Sequence, residues 1–360
     1  GMNGDVEVRH MGETTPAHTA FATPEWFAAW LAAFGGDRAG IWRASDATNA
    51  CAIPYRLERL PVGVLAVPAA LGATNDHTPR YDILGRIAEP GTVFNRMMSD
   101  LGVSMLSFDY LSEQSHLLRL FRARPVGLLY HVDFCEDSPY VNCRMNWDDY
   151  WISLGSIRSL WARRERKLIN EHGAVFSCLS SWQDVAPLLP RIYDVEASGW
   201  KGREGTAIKQ RPETLNFYDT CVRHWAESNL LRLFTLSIRD EIAAFQINVL
   251  HGGVLTQLKV GYEEKFSKLS PGQVLQLQLL RWAFASPDVL LYDMLGGGGK
   301  ANETKRKWAT DVEPLFMLHI FRRDALGLLA WARFAQGPRI KAWLTGKTGK
   351  THQPIHPRSD

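Results

Sequence analysis

The chain has 360 residues, of which 46% are hydrophobic and 22% charged, and its formal net charge is +3. This composition is typical of a globular protein and excludes a disordered chain. The length suits two domains of ordinary size, and the charge is too small to indicate nucleic-acid binding by itself.

The five cysteines are odd in number and form no C-x-x-C pair. A reduced, cytoplasmic setting is therefore expected. No apolar run approaches the ~20 residues that a membrane span needs, and the N-terminus lacks a secretion signal pattern, so we expect a soluble protein. The first dozen or so residues and the tail after residue 346 are predicted to be disordered.

The first half of the chain predicts alternating helices and strands. A helix begins at Thr23-Pro24 and Gly35 can end it, as its apolar spacing indicates. The later elements are strands at 52–60 and 62–69, a helix near 92–101, a strand at 103–108, a helix near 113–122 and a strand at 126–134. This pattern predicts a mixed α and β domain over residues 20–145.

A long helix is predicted in the middle of the chain. Pro139 indicates a turn, and Asn146 can cap one helix that continues to about residue 170. The last turns of this helix carry Arg163, Arg164, Arg166 and Lys167. Cations near a helix C-terminus complement its dipole, so the cluster is either a solvated face or a phosphate contact. We take residues 146–172 as a connecting helix before a second domain at 173–346.

The second half predicts a strand at 174–179 and helices at 182–197 and 212–228. Three strands then form a meander at 231–238, 242–250 and 254–262. A helix from Pro271, strands at 289–295 and 314–321, and a basic amphipathic segment at 326–344 follow. Three histidines lie far apart in predicted strands, with no pairing that would indicate a metal site: His131, His251 and His319.

A phosphate site is predicted where the meander meets the helix from Pro271. Ser270 can act as N-cap, and Gln273 can complete a capping box. Such a helix start favours an anion by about 0.3 to 1 kcal/mol, and Lys265 and Lys268 add positive charge beside it. Gly272 lets a ligand approach the backbone closely. The alternative is an ordinary Ser-Pro helix start.

A second loop follows the strand that ends near Asp293. It contains four glycines at 296–299 and is followed by Lys300, Lys305 and Lys307. By itself this pattern also fits a flexible surface loop. The hypothesis of a phosphate-handling site gains weight because two such loops flank neighbouring strands.

This order of elements resembles the GNAT acyltransferase fold, and two such domains resemble the Fem-type peptidyltransferases and the cellulose-biosynthesis-type acetyltransferases. The resemblance covers roughly residues 139–308. Its motifs are Ser138-Pro139-Tyr140, Trp147-Asp148-Asp149-Tyr150-Trp151, Arg163-Arg164-Glu165-Arg166-Lys167-Leu168, Glu196-Ala197-Ser198-Gly199-Trp200-Lys201-Gly202, Ser270-Pro271-Gly272 and Asp293-Met294-Leu295-Gly296. It implies an α/β chain of two tandem GNAT-like domains, each a mixed, mostly antiparallel sheet flanked by helices.

The chain also departs from that family. Lys268-Leu269-Ser270-Pro271-Gly272 stands where GNAT enzymes have a Gln/Arg-x-x-Gly-x-Gly/Ala loop. Related proteins have an aromatic-Lys pair soon after the Asp-x-x-Gly strand, and this chain has Lys307-Trp308 behind extra glycines. The coiled-coil arm often found in the tRNA-dependent members has no counterpart here.

The resemblance implies roles for particular residues. The donor would be acetyl-CoA or another acyl-CoA, with its carbonyl held by backbone N–H groups of Leu258, Lys259 and Val260. Asp293 and Glu196 are the candidate bases, and either could instead hold a cationic substrate amine. The structural alternatives are a cap on the glycine loop for Asp293 and a helix-end ion pair for Glu196. The candidate acceptor-binding residues are Trp200, Lys201, Lys300, Lys305, Lys307 and Trp308.

Three functions remain open from the sequence. The leading hypothesis is an acyl-CoA-dependent N-acyltransferase without a metal, acting on an amino group of a sugar, polysaccharide precursor or cell-envelope metabolite. The second is an aminoacyl-tRNA-dependent transferase, in which the cluster at 163–167 would contact phosphate. The third is a non-catalytic binding protein of exopolysaccharide assembly that has lost the donor site.

Overall fold

The computed structural model describes residues 17–297 and 299–337. The strands are β1 (Ala39–Ser45), β2 (Ala50–Val62), β3 (Leu65–Gly72), β4 (Leu84–Arg86), β5 (Met105–Leu111), β6 (Leu129–Asn142), β7 (Val175–Leu179), β8 (Leu231–Ile238), β9 (Glu241–His251), β10 (Val254–Tyr262), β11 (Leu291–Asp293) and β12 (Asp311–Phe321).

The α-helices precede, separate and follow these strands in the chain. They are α1 (Pro24–Trp30), α2 (Pro90–Leu101), α3 (His116–Arg122), α4 (Trp147–Ser153), α5 (Ile157–His172), α6 (Trp182–Val185), α7 (Leu189–Ala197), α8 (Trp200–Arg203), α9 (Pro212–Glu227), α10 (Pro271–Ala285), α11 (Gly299–Trp308) and α12 (Ala325–Trp331). Among the described residues, no helix is both long and apolar enough to cross a membrane.

The chain divides into two compact units. The first contains residues 1–137 and 313–360, and the second contains residues 138–312. This division differs from the one expected from the sequence. It places the helical residues 146–172 inside the second unit and returns most of β12, with α12, to the first, because β12 pairs antiparallel with β5.

In the first unit, β2 pairs antiparallel with β1, β3 and β4. Strand β3 pairs parallel with β5, and β5 pairs with β12. A buried apolar cluster on this sheet includes Leu60, Val67, Leu71, Met105 and Phe321. These contacts explain why the C-terminal strand is part of the first core.

The second unit has the strand order β6, β11, β10, β9, β8, β7, with residues 138–142 of β6 at one end. All neighbours are antiparallel except β10 and β11, which are parallel. Helix α10 supplies much of the core through six fully buried apolar side chains: Val274, Leu275, Leu277, Leu279, Leu280 and Ala283. The alternating Leu-Gln run at 275–279 is therefore helical, as its Ser-Pro start predicts.

Several predicted elements need correction. Pro139 lies inside β6 rather than in a turn. The single helix predicted over 146–170 is two helices, α4 and α5, because Gly155 adopts a left-handed φ of 64° between them. The helix predicted over 182–197 is α6 and α7 joined by the 3-10 turn Ala186–Leu188, which contains Pro187.

The C-terminal predictions are tested only in part. The lysine-rich segment after the glycines forms helix α11. The basic segment predicted over 326–344 begins as α12, and its remainder after residue 337 lies outside the described residues, as do the two ends predicted to be disordered.

We expect Asn146→Ala to lower the free energy of unfolding by about 0.5 to 2 kcal/mol. The Asn146 side chain accepts hydrogen bonds from the backbone N–H groups of Asp148 and Asp149, at 2.8 and 3.4 Å, and so caps α4. Ser156 stands at the same position before α5 but makes no such bond, so Ser156→Ala is the control. Urea denaturation of both variants measures the difference, and equal losses would contradict the capping role.

Candidate active site

The candidate site is built around strands β10 and β11, which pair over three residues only. Val254, Leu255 and Thr256 pair with Leu291, Tyr292 and Asp293. Strand β11 then ends, while β10 continues to Tyr262 beside β9. Beyond Thr256, no other described strand pairs with this edge of β10.

The three residues expected to hold a carbonyl lie on this edge. The pairing of β10 with β9 shifts register between Gln257 and Lys259, so Leu258 forms a β-bulge. A bulge bends its strand and turns backbone groups out of the ladder. The side chain of Val260, two residues later, is 42% exposed. Leu258, Lys259 and Val260 thus occupy an irregular, accessible strand segment.

The capping box predicted at the start of α10 is not formed. Ser270 adopts a left-handed φ of 52° and makes no side-chain cap. Its hydroxyl instead accepts a hydrogen bond from Arg164 Nη1 at 2.7 Å, and Gln273 Oε1 accepts one from the Trp308 indole N–H at 2.8 Å. The backbone N–H groups at the start of α10 therefore have no side-chain cap.

Two cations, Lys268 and Arg164, lie near the start of α10. The first turn of the helix has no acidic residue. Lys268 is exposed in the preceding 3-10 helix, and the Arg164 guanidinium stacks on the Trp161 ring at 4.9 Å. Lys265, in contrast, forms an ion pair with Glu241. Cations at the positive end of a helix dipole repel it unless an anion is present, so this arrangement favours a phosphate.

Gly272 lies in the first turn of α10, where close approach to the backbone was expected. A Cβ there would lie 3.8 Å from the Tyr262 ring, an ordinary contact distance. The neighbouring protein atoms therefore leave room beside Gly272.

Asp293 is buried at the end of β11. One carboxylate oxygen accepts hydrogen bonds from the Ser138 hydroxyl at 2.8 Å and from the Leu295 N–H at 2.9 Å. Leu295 has a φ of 62°, so the carboxylate stabilises a tight turn at the end of the strand. Asp293 therefore caps the loop after β11, which is one of the two roles that the sequence left open. It does so at the point where β10 and β11 separate.

Glu196 is also buried, near the end of α7. Its Oε1 accepts a hydrogen bond from the Ile208 N–H at 2.7 Å, and its Oε2 lies 3.9 Å from Lys201 Nζ. A Cβ on Gly202 would lie 1.7 Å from the carbonyl oxygen of Ala197, so only glycine fits this turn. Glu196 therefore holds the loop that presents Trp200, whose side chain is 39% exposed.

Lys305 and Lys307, two of the lysines after the glycines, have different surroundings in the structure. Lys305 donates to the carbonyl oxygens of Leu295 and Gly296, at 3.3 and 3.4 Å, and so contacts the turn after β11. Lys307 is exposed, and the side chain of Lys300 lies outside the described part of the chain. Trp308, expected to contact the acceptor, lies in the core and stacks on Trp161.

A buried polar network beside the site was not predicted. The Tyr292 hydroxyl lies within hydrogen-bond distance of Gln257, Gln246 and Gln276, at 2.8 to 3.0 Å. Burial raises the pKa of Tyr292 well above its ordinary value, so the hydroxyl stays neutral. Gln257 precedes the bulge, and its bond to Tyr292 ties β10 to β11 where they separate. The sequence contained one sign of this network: Gln276 is a polar residue between two leucines that are buried in α10.

Taken together, the second unit offers backbone donors on a strand edge, an uncapped helix start with nearby cations, and a buried carboxylate at the strand end. Such groups can polarise a carbonyl, hold a phosphate and accept a proton. Among the described residues, no group of three or more His, Cys, Asp or Glu side chains could hold a metal ion.

Comparisons with known proteins give a family match for part of the chain. Residues 156–306 match the family described as acetyltransferase (GNAT) domain. A comparison with curated protein sequences gave no match.

Solved structures resemble the chain over most of its length. The C-terminal domain of a putative lysylphosphatidylglycerol synthetase from Agrobacterium fabrum has a TM-score of 0.56 at 11% identity, covering 93% of this chain and 96% of that one. A conserved protein of unknown function from Bacteroides thetaiotaomicron has 0.56 at 9%, covering 89% and 98%. FemX has 0.51 at 10%, covering 88% and 95%. At such identities the likeness concerns the fold, and it extends over both units.

The residues that form the strand edge, the helix start and the basic helix α5 all lie within the matched segment. Residues 156–306 therefore match the acetyltransferase (GNAT) domain family, within a mixed α/β fold that resembles the fold of FemX.

Proposed function

We propose that the protein transfers an acyl group from acyl-CoA to an amino group of a sugar, polysaccharide precursor or cell-envelope metabolite. One observation carries the proposal: the edge of β10 that has no described strand neighbour is followed, after the 3-10 helix Glu264–Leu269, by the uncapped start of α10. A donor that has a carbonyl at one end and phosphates further along can use both features at once.

The donor phosphates would lie at the start of α10. The backbone N–H groups there, with Lys268 and Arg164 beside them, complement negative charge, and Gly272 leaves room for it. The acyl carbonyl would accept from the backbone of the bulged segment at Leu258. The chain's residues thus fit an acyl-CoA without any metal.

The reaction needs a neutral amine as nucleophile. The amine nitrogen attacks the thioester carbonyl carbon, the carbon–sulfur bond breaks, the amine loses a proton and the leaving thiolate gains one. We assign proton acceptance to Asp293, because its carboxylate lies at the end of β11 beside the unpaired edge of β10. We assign Glu196 to holding the acceptor-side loop, with a smaller effect on turnover.

The acceptor would bind near the exposed ring of Trp200, whose face is also close to Lys201 Nζ, at 5.8 Å from the ring centroid. An aromatic face suits a sugar ring, and a lysine suits an acidic substituent. We place the reaction in the cytoplasm, where the five free cysteines would stay reduced.

Aminoacyl-tRNA as the donor is the second candidate. Arg163, Arg166 and Lys167 are exposed on α5, whereas Arg164 is held at Ser270. The fold likeness to FemX keeps this candidate, since the Fem-type transferases that the sequence resembles include tRNA-dependent members. The two donors share phosphate chemistry and differ in size and in salt dependence of binding.

The first prediction concerns the donor phosphates. With CoA at about 100 times its dissociation constant, linkage adds about 2.7 kcal/mol and raises the melting temperature by several degrees. Lys268→Glu combined with Gly272→Val should abolish this shift without unfolding the protein. Lys209→Gln removes a lysine that is paired with Asp194 and is the control. An undiminished shift in the double variant would exclude this phosphate site.

The second prediction separates the two donors. If CoA is the donor, a gel shift with bulk tRNA at physiological salt should show no tight complex. Replacing Arg163, Arg166 and Lys167 by Ala, while keeping Arg164, should leave the CoA shift unchanged. Tight, salt-sensitive tRNA binding that this triple variant loses would favour the aminoacyl-tRNA function instead.

The third prediction concerns turnover. Loss of a general base lowers a rate by a factor of about 100 to 10,000, so Asp293→Asn should retain CoA binding and lose most thiol release in the presence of an acceptor. Glu196→Gln should show a smaller loss. Normal turnover of Asp293→Asn with a lower melting temperature would show that Asp293 only stabilises the turn.

A further inference from the structure

The first unit contains a cavity of about 490 Å³ that the proposed reaction does not use. It lies between β4, the start of α2 and helix α3. Its apolar lining includes Ile83, Ile87, Leu120 and Pro125. Small-molecule sites commonly have volumes of about 300 to 1,000 Å³, so this cavity has the size of a ligand site.

The charged side chains that line the cavity are all basic. Arg86, Arg119 and His116 line it, and among the described residues no carboxylate does. Arg119 donates to the backbone carbonyl of Glu113 and to the side-chain oxygen of Gln114, at 3.3 and 3.0 Å, which are neutral acceptors. Arg86 is exposed at the end of β4. The positive charge of the two arginines is therefore free to meet an anion.

A buried carboxylate near the cavity does not cancel this charge. Asp82 Oδ2 lies 4.0 Å from the His116 ring and 3.0 Å from that of His18. Its two oxygens also accept the backbone N–H groups of Ile83, His116 and Leu117. Asp82 is 1% exposed and is occupied in capping α3, so it is not a competing ligand for the arginines.

We propose that this cavity binds a single-chain amphiphile with a carboxylate head, of the medium-chain fatty-acid class. The chain would replace water against the apolar lining, and the carboxylate would meet Arg86 and Arg119 at the rim. Arginine suits this role because its planar guanidinium matches a carboxylate and is always charged. This cavity lies in the first unit, and the proposal does not depend on the proposed reaction.

The test is titration calorimetry of the full chain with octanoate, decanoate, decanol and acetate, each below its aggregation concentration. Decanoate should bind several-fold more tightly than octanoate, because each buried methylene strengthens binding by at most about fourfold. Acetate should not bind detectably, and decanol should bind more weakly than decanoate. Equal affinities for decanol and decanoate would show that the arginines do not bind the carboxylate. If neither ligand binds, the proposal that this cavity is a ligand site is wrong.

Variants place the binding in this cavity. Arg86→Gln with Arg119→Gln should weaken decanoate binding about threefold to tenfold, as expected for two exposed ion pairs, and leave decanol unchanged. Arg122→Gln is the matched control, since Arg122 is on the same helix but pairs with Glu113 and does not line the cavity. Ala88 is exposed at the cavity, and Ala88→Trp should block both ligands without changing the melting temperature.

Anionic phospholipid vesicles distinguish a membrane surface from a single chain. The proposal expects no sedimentation of the protein with such vesicles at physiological salt. Vesicle binding that the double arginine variant loses, together with no response to decanoate, would replace the amphiphile by a lipid surface. Decanoate binding that survives Ala88→Trp would place the ligand elsewhere and overturn the assignment.

Discussion

The short parallel pairing of β10 and β11 is the constraint on which the candidate site depends. Three residue pairs hold the strands together, and the pairing ends at Thr256 and Asp293. Because β10 continues for six residues more, its backbone groups on one side lack a strand neighbour among the described residues. An unpaired strand edge leaves backbone N–H and C=O groups without strand partners, and an extended ligand can satisfy them.

The separation of the two strands is held by side chains as well as by backbone. Tyr292 bonds to Gln257 across the gap and to glutamines of β9 and α10 beneath it. Buried polar groups of this kind are costly when any partner is missing, so the network favours a single arrangement of the four elements. On β11, Asp293 holds the turn through Leu295, and Ser138 ties that carboxylate to β6.

The start of α10 shows how stability and binding compete in one place. A serine cap typically contributes about 1 kcal/mol, and Ser270 does not supply one. The left-handed backbone conformation of Ser270 also costs more free energy than it would cost for a glycine. Arg164 adds a cation where the helix dipole is already positive. Each feature opposes the isolated helix, and together they favour a bound anion.

The local sequence pattern predicted most of the helices and strands correctly. The meander at 231–262, the helix from Pro271 and the Asn146 cap are confirmed, since they depend on alternation, helical spacing and capping chemistry between close neighbours in the chain. The breaks within the predicted helices were missed, because Gly155 and Pro187 are tolerated in many helical sequences and only the packing decides whether the chain bends there.

The sequence by itself determined most of the elements and their order, and its motifs indicated a GNAT-like arrangement of the second half. The tertiary structure decided which of these residues face each other. Ser270 bonds to Arg164, which is 106 positions away, and Trp308 to Gln273, which is 35 away. It also returned β12 to the first unit by pairing it with β5. Such pairings form between residues that are far apart in the chain, and they depend on how the whole chain packs. A local sequence pattern cannot predict them, because it does not contain the free energies of the alternative long-range contacts.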